Sequence, residues 1–193
     1  VRHLVVATNE NDVLDEFFKT GKYHPRTSEN TFQTSSPSMD ISKASNFERF
    51  IFDLIGRDVL SLRRYWKQID NGGSFQLDNE NIDKISTFGF ISSSSKHENR
   101  IRLIKKLHDE YGVIIDTHTA DGIKASLDHL SKDTPMLVLE TALPTKFEKS
   151  VYEAIGKKPN RPDALVNLEK MNQRFEVFDN STSLVKNYIL ANK

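Results

Sequence analysis

"MLVLETALPTKFEKSV", residues 136–151, poses the question on which the fold turns. Met136 to Leu139 read as a strand that is buried, Glu140 and Thr141 end it, Pro144 turns the chain, and a helix is expected over 145–155. In an open α/β sheet the carboxyl ends of the strands face the crevice where ligands bind. Thr141 then has two readings. Its hydroxyl either begins the turn before Pro144 or contacts something bound there.

The same alternation recurs on either side of the chain's middle. "GVIID" (112–116) reads as a short strand entering a helix over 117–130, and "FGFIS" (88–92) as a strand before a helix from Lys96 to Tyr111 that Gly112 ends. "HLVVAT" (3–8) is another buried strand, followed by a helix capped by Asn11 or Asp12, with Val13, Leu14, Phe17 and Phe18 on its apolar face. Strands separated by helices of about 10–15 residues argue for βαβ units. The expected fold class is α/β, a three-layer sandwich with a mainly parallel sheet and helices on both faces.

Two stretches interrupt this pattern. From 23 to 45 the chain is polar and rich in Ser and Thr, too long for an ordinary connection, which predicts an irregular but ordered loop. Residues 46–87 read as a helical insertion. Phe47, Phe50, Ile51, Leu54, Ile55, Leu60 and Leu62 recur at helical intervals over 46–69, with Asn46 as N-cap and Gly56 as a break or a bend. "DNGG" (70–73) is a turn, and 78–87 a short helix. After 155 come a helix at 162–170, an extended "FEVF" (175–178) and a closing helix from Ser181 to Ala191. The domain reading is 1–155 as part of a large α/β domain, with 156–193 a C-terminal extension packed on it.

The 193 residues suffice for one domain with a real core. Lys plus Arg and Asp plus Glu balance at 27 each, which removes any general electrostatic pull toward nucleic acid or an anionic membrane. No apolar run approaches the roughly 18 residues of a membrane span, and none resembles a signal peptide. With no cysteine there is no disulfide framework, thiolate nucleophile or thiolate metal site, and a reducing, cytoplasmic setting is expected. "VRHLVVATNEND" opens directly on an apolar run that needs strand neighbours on both sides, so the chain is expected to start inside the fold of a longer protein.

Six histidines, His3, His24, His97, His108, His118 and His129, lack metal-ligand spacing. His118 stands apart because it follows a strand at the expected ligand edge. Asp116, with Thr117 or Thr119, reads as a helix cap or as an acid–base partner of His118. "NGGS" (71–74) lacks the lysine of a phosphate loop. The basic stretch "KHENRIRLIKK" (96–106) reads as a solvated helix face. Ser-Pro-Ser (36–38) forms a turn by itself, since serine hydroxyls bond nearby backbone. From the residues alone, the reading stops at an α/β ligand-binding fold.

Several stretches taken together resemble the threonine synthase family. "VVATNENDVLDEFFKTGKY" (5–23) is similar to its strand-and-helix segment, and "SSPSMDISKASNFERFIFDL" (35–54) to its Ser-Pro-Ser-Met-Asp-Ile and Ser-Asn-Phe-Glu-Arg stretches. "GVIIDTHTADG" (112–122) and "LETALPTKF" (139–147) resemble Asp-Pro-His-Thr-Ala-x-Gly and Thr-Ala-His-Pro-Ala-Lys-Phe. Thr117 stands where the family often has Pro, Leu143 where it often has His, and Thr145 where it often has Ala. The match runs in order across almost the whole chain.

The resemblance implies the later part of a lyase of pyridoxal-phosphate fold type II (tryptophan synthase beta-like) that converts O-phospho-L-homoserine and water to L-threonine and phosphate. It implies pyridoxal 5'-phosphate as cofactor, with the Thr141 hydroxyl on its pyridine nitrogen and Asn9, Asn11, Ser36, Ser38, Asp40 and His118 as substrate-side candidates. The family's Schiff-base lysine, in a Ser-Phe-Lys-Asp context, and its Gly-Asn-Phe-Gly phosphate cradle do not occur in these residues. Both are expected upstream, in the rest of the same polypeptide, and the isolated chain is expected to be inactive. Two alternatives stay open: a related phospho-lyase that yields a keto acid, and a non-catalytic binding or interaction domain of the same fold.

Overall fold

A computed structural model describes residues 1–192. Its organising feature is a parallel pair of strands, β1 (Leu4–Thr8) and β4 (Phe90–Ser94), in register from Leu4↔Phe90 to Thr8↔Ser94. A parallel pair needs a long crossover, here residues 9–89. That crossover holds α1 (Val13–Thr20), a two-residue antiparallel ladder of β2 (Lys22–Tyr23) with β3 (Phe75–Gln76), α2 (Phe47–Leu54), α3 (Val59–Asp70) and α4 (Asn79–Thr87). Then follow α5 (His97–Tyr111), α6 (Thr117–Asp128) and α7 (Glu148–Ile155). Helices α1, α4 and α6 all contact the strand pair.

Where the helix of 46–69 was expected, there are two helices. Gly56 and Arg57 both adopt left-handed backbone (φ 69° and 64°), which no helix can continue through. Asp58 then starts α3 by accepting the amides of Leu60 and Ser61, and its bonds from Ser61 hold its carboxyl below the usual range. The strand expected at 88–92 begins two residues later. Phe88 still caps α4, and Gly89 takes a left-handed turn (φ 75°) against the carbonyl of Arg2 before the ladder opens.

The strands expected at 112–116 and 136–140 are corrected: neither joins a ladder among the described residues. Val113 donates back to Leu107 O (3.3 Å), and Asp116 is already committed as the N-cap of α6. The second segment leaves Leu137 84% and Leu139 73% exposed. Apolar sequence becomes strand only where it aligns with a neighbour's backbone partners, and among the described residues neither segment does. The helix expected at 145–155 opens as a 3₁₀ turn over Pro144–Phe147 before α7.

Up to Asn160 the chain forms one compact unit. Its larger apolar cluster is aromatic and belongs to the crossover. Phe17 of α1 is wholly buried and meets Phe18, Tyr23, Phe47, Phe50 and Phe75 edge-on, at ring-centre distances from 4.8 to 6.4 Å. Such edge-to-face pairs add to the area they bury. A smaller cluster of Leu103, Ile104, Ile115, Ala120 and Ala154 joins α5, α6 and α7. α1 ends at Gly21 (φ 72°), where a Cβ would stand 2.5 Å from Ile82 Cγ1.

A second unit begins at Arg161. The continuous helix expected over 162–170 is replaced by 3₁₀ turns at Asp163–Leu165 and Leu168–Lys170, since so short a segment cannot hold a helix without an apolar face to bury. "FEVF" is irregular rather than a strand. α8 (Thr182–Ala191) closes the unit, with Tyr188 edge-on to Phe178 at 5.0 Å.

Two substitutions test this packing. Phe17→Ala should cost about 3–5 kcal/mol in urea unfolding, because the hole it leaves is walled by five other rings. Gly21→Ala should cost at least about 1–2 kcal/mol from the left-handed backbone alone.

Candidate functional site

Because β1 and β4 run parallel, their carboxyl ends open on one edge, and the polar residues collect there. Ser95 leaves β4 with its amide on Thr8 O (2.9 Å), so Asn9 and Ser95 emerge side by side. Asn9 is fully buried. Its Nδ2 lies 2.8 Å from Thr34 Oγ1, 2.8 Å from Asp40 Oδ1 and 3.2 Å from Ser36 O, while its Oδ1 accepts the Asn11 amide at 2.8 Å. Asn11 Nδ2 donates to Phe32 O and Asp40 Oδ1 (3.0 Å each) and its Oδ1 accepts Phe32 N (2.8 Å). Asp40 also accepts the amide (2.8 Å) and the hydroxyl (2.7 Å) of Thr34. The irregular loop is thus sewn to the end of β1 by side chains that replace a missing ladder.

A second network holds the start of α5. Arg100 is wholly buried, which corrects the reading of 96–106 as a solvated face. Its guanidinium grips Glu10 with Nη2 (2.8 and 3.0 Å), Asp121 with Nη1 (3.1 Å) and Ser35 Oγ with Nε (2.8 Å). A fork of fixed donors suits three partners at once. Asp121 also accepts the Ser95 hydroxyl. Burial pushes the Asp121 carboxyl up, against the pull of Ser95, Ser36 and Arg100. His97 bridges Ser35 Oγ (Nδ1, 2.8 Å) and Glu153 of α7 (Nε2, 2.9 Å).

The third network starts at Asp116, the fully buried N-cap of α6. Its Oδ1 accepts the amides of His118 (2.8 Å) and Thr119 (3.4 Å) and faces His118 Nδ1 (3.2 Å), while its Oδ2 accepts the Thr119 hydroxyl. His118 Nε2 accepts the backbone amide of Ser38 at 3.0 Å. An amide can only donate, so Nε2 carries the lone pair and Nδ1 the proton that Asp116 receives. Thr119 Oγ1 in turn accepts the amide of Thr141 at 3.3 Å. The His118 ring rests edge-on against Phe147, 4.7 Å between centres.

The sequence-derived candidates therefore meet in two places. Asn9, Asn11, Ser36 and Asp40 bond one another. Ser38, His118 and Thr141 join through Asp116 and Thr119. Asn9, Asn11 and Ser36 are buried, whereas Ser38 and Thr141 are exposed. Sequence reasoning missed Arg100, Glu10, Asp121 and Thr34. Arg100 carried one usable signal: it shares a helix face with Leu103, Ile104 and Leu107 rather than with Arg102, Lys105 and Lys106. Of the remaining histidines, His129 lies 3.0 Å from Ser92 O, and among the described residues no cluster suits a metal ion.

Arg100→Met should destabilise the protein by about 3–5 kcal/mol, because it strands the Asp121 and Glu10 carboxylates without their counter-charge. Chemical unfolding of the variant beside the wild type measures this.

Residues 119–189 match the family profile "Threonine synthase, C-terminal". Threonine synthase of Methylobacillus glycogenes is 59% identical over 191 residues, and that of Corynebacterium glutamicum 47% over 195; each alignment covers 98% of this chain and 40% of the relative. The solved PLP-bound threonine synthase of Brucella melitensis superposes with a TM-score of 0.86 at 33% identity, over 98% of this chain and 40% of that one. The yeast enzyme does so at 0.81 and 30%, over 100% and 43%. The chain spans about two fifths of the length of the relatives it matches. By sequence and by fold it is similar to the C-terminal portion of threonine synthases.

Proposed function

We propose that this chain forms the later part of a cytoplasmic threonine synthase, which converts O-phospho-L-homoserine and water to L-threonine and phosphate with pyridoxal 5'-phosphate. The observation that carries the proposal is the placement of Thr141. Thr141 is exposed while its amide is pinned to Thr119, so its backbone is held at an open position. An exposed threonine on a held backbone supports the reading that it could meet the cofactor. When bound, pyridoxal phosphate supplies an electron sink for negative charge developing on substrate carbon.

With the cofactor bound, Thr141 would hold its pyridine nitrogen through the side-chain hydroxyl. A neutral hydroxyl leaves that nitrogen unprotonated, where a carboxylate would hold it protonated and make a stronger sink. A neutral donor at this position would temper the sink the cofactor supplies. On the substrate side, Ser38 stands exposed on the loop, and Asp40 with the buried Asn9, Asn11 and Ser36 holds that loop in shape. The lysine that anchors the cofactor belongs to the polypeptide upstream, so the chain by itself makes no threonine.

The full-length protein, given O-phosphohomoserine, should release threonine and phosphate; a keto acid in place of threonine would identify a related phospho-lyase instead. Thr141→Val keeps shape and removes the donor. It should lower kcat roughly ten- to hundredfold, the worth of a hydrogen bond of about 1.5–3 kcal/mol, and shift the cofactor's absorbance. Wild-type turnover in that variant would remove Thr141 from the cofactor site.

A further inference from the structure

We infer that His118 is a positioning residue, which uses the lone pair of Nε2 to set the Pro37–Met39 turn for the substrate through the backbone amide of Ser38. The inference extends the proposed function, since it takes from that reading which side of the site meets the substrate. Its physical basis is the hydrogen-bond polarity of one ring. Ser38 N–H reaches Nε2 at 3.0 Å and Asp116 Oδ1 faces Nδ1 at 3.2 Å, so the ring bridges a donor and an acceptor that cannot exchange roles.

Asp116 and the ring are firmly placed. Asp116 is buried and caps α6, and the ring is only 9% exposed and packed on Phe147. The turn that donates the bond is not buried. Pro37 and Ser38 are exposed, and Met39 and Asp40 are tied back only by the 3₁₀ bonds to Ser36 O and Pro37 O (3.1 Å each) and by the Asp40 network. His118 joins this turn to α6 at Ser38, beside the bond that Ser36 makes to Asp121. Through Asp116 and Thr119 the same carboxylate also holds the Thr141 amide. One carboxylate therefore registers a cofactor-side residue and a substrate-side turn against each other. Preorganisation of this kind matters because small displacements of substrate-holding groups carry large rate penalties.

Asn and Gln separate the two arms of the ring. His118→Asn leaves an amide to meet Asp116 and is too short for Ser38, whereas the oxygen of His118→Gln reaches toward Ser38. In the full-length enzyme, amide exchange over 33–40 should quicken roughly tenfold in His118→Asn and stay close to wild type in His118→Gln. KM for O-phosphohomoserine should rise about tenfold in His118→Asn alone, with the cofactor absorbance at its wild-type position. Ser38→Pro, which deletes the donor without touching the buried ring, should raise KM above that of Ser38→Ala.

Equal exchange in wild type and His118→Asn would overturn the inference. So would equal loss in both His118 variants, which would mean that bulk alone matters, and so would faster exchange with KM unmoved. Exchange that follows the prediction in a protein forming no threonine would leave the tether standing and defeat the proposed function instead.

Discussion

A carboxylate removed from water must have its charge answered by donors fixed around it, and Asp116 is the place where this structure meets that demand. Two backbone amides, a threonine hydroxyl and an imidazole N–H converge on it. The donors come from the first turn of α6, and the two that are side chains pass the constraint outward. His118 hands it to the amide of Ser38, and Thr119 to the amide of Thr141. An unanswered carboxylate at this depth would be costly enough to reorganise its surroundings. The satisfied one instead locks two irregular segments into one relative placement, which regular secondary structure does not do for either of them.

The same logic, with opposite charge at the centre, runs through Arg100. A guanidinium out of water divides its donors among Glu10, Asp121 and Ser35, and so binds the residue after Asn9 and the loop to α5. Such polar networks are poor sources of net stability, because desolvation offsets most of their attraction. What they impose is uniqueness: displaced arrangements leave buried groups unpaired. The stability comes from elsewhere, chiefly the ring cluster around Phe17. The division suits a site whose walls must be exact while its loops stay largely exposed.

Much of the architecture was legible because helical periodicity and glycine punctuation are local properties. Val13, Phe17 and the glycines at 21, 112 and 156 behave as their neighbours in sequence dictate, with α1, α5 and α7 ending on left-handed glycine. The segments 112–116 and 136–140 misled because a strand is a relation between two segments, and local composition cannot reveal whether a partner exists. Arg100 misled for a related reason. Its acceptors lie 21 and 90 residues away, and a charge surrounded by charges reads as solvated until the fold removes the water. The polar candidates Asn9, Ser36 and Asp40 were visible as polar residues, but their mutual bonding, which makes them scaffold, was not. The family resemblance singled out Thr141, and the geometry adds the hydroxyl and amide that hold its backbone.

The central claim is that His118 is kept in one protonation pattern by a carboxylate on one side and a main-chain amide on the other. Nitrogen NMR of the ¹⁵N-histidine-labelled full-length protein at neutral pH reads this directly. The account predicts a pyridine-type, unprotonated resonance at Nε2 and a pyrrole-type, protonated one at Nδ1 for His118, without exchange averaging. The reverse assignment, or an averaged pair of shifts, would contradict it.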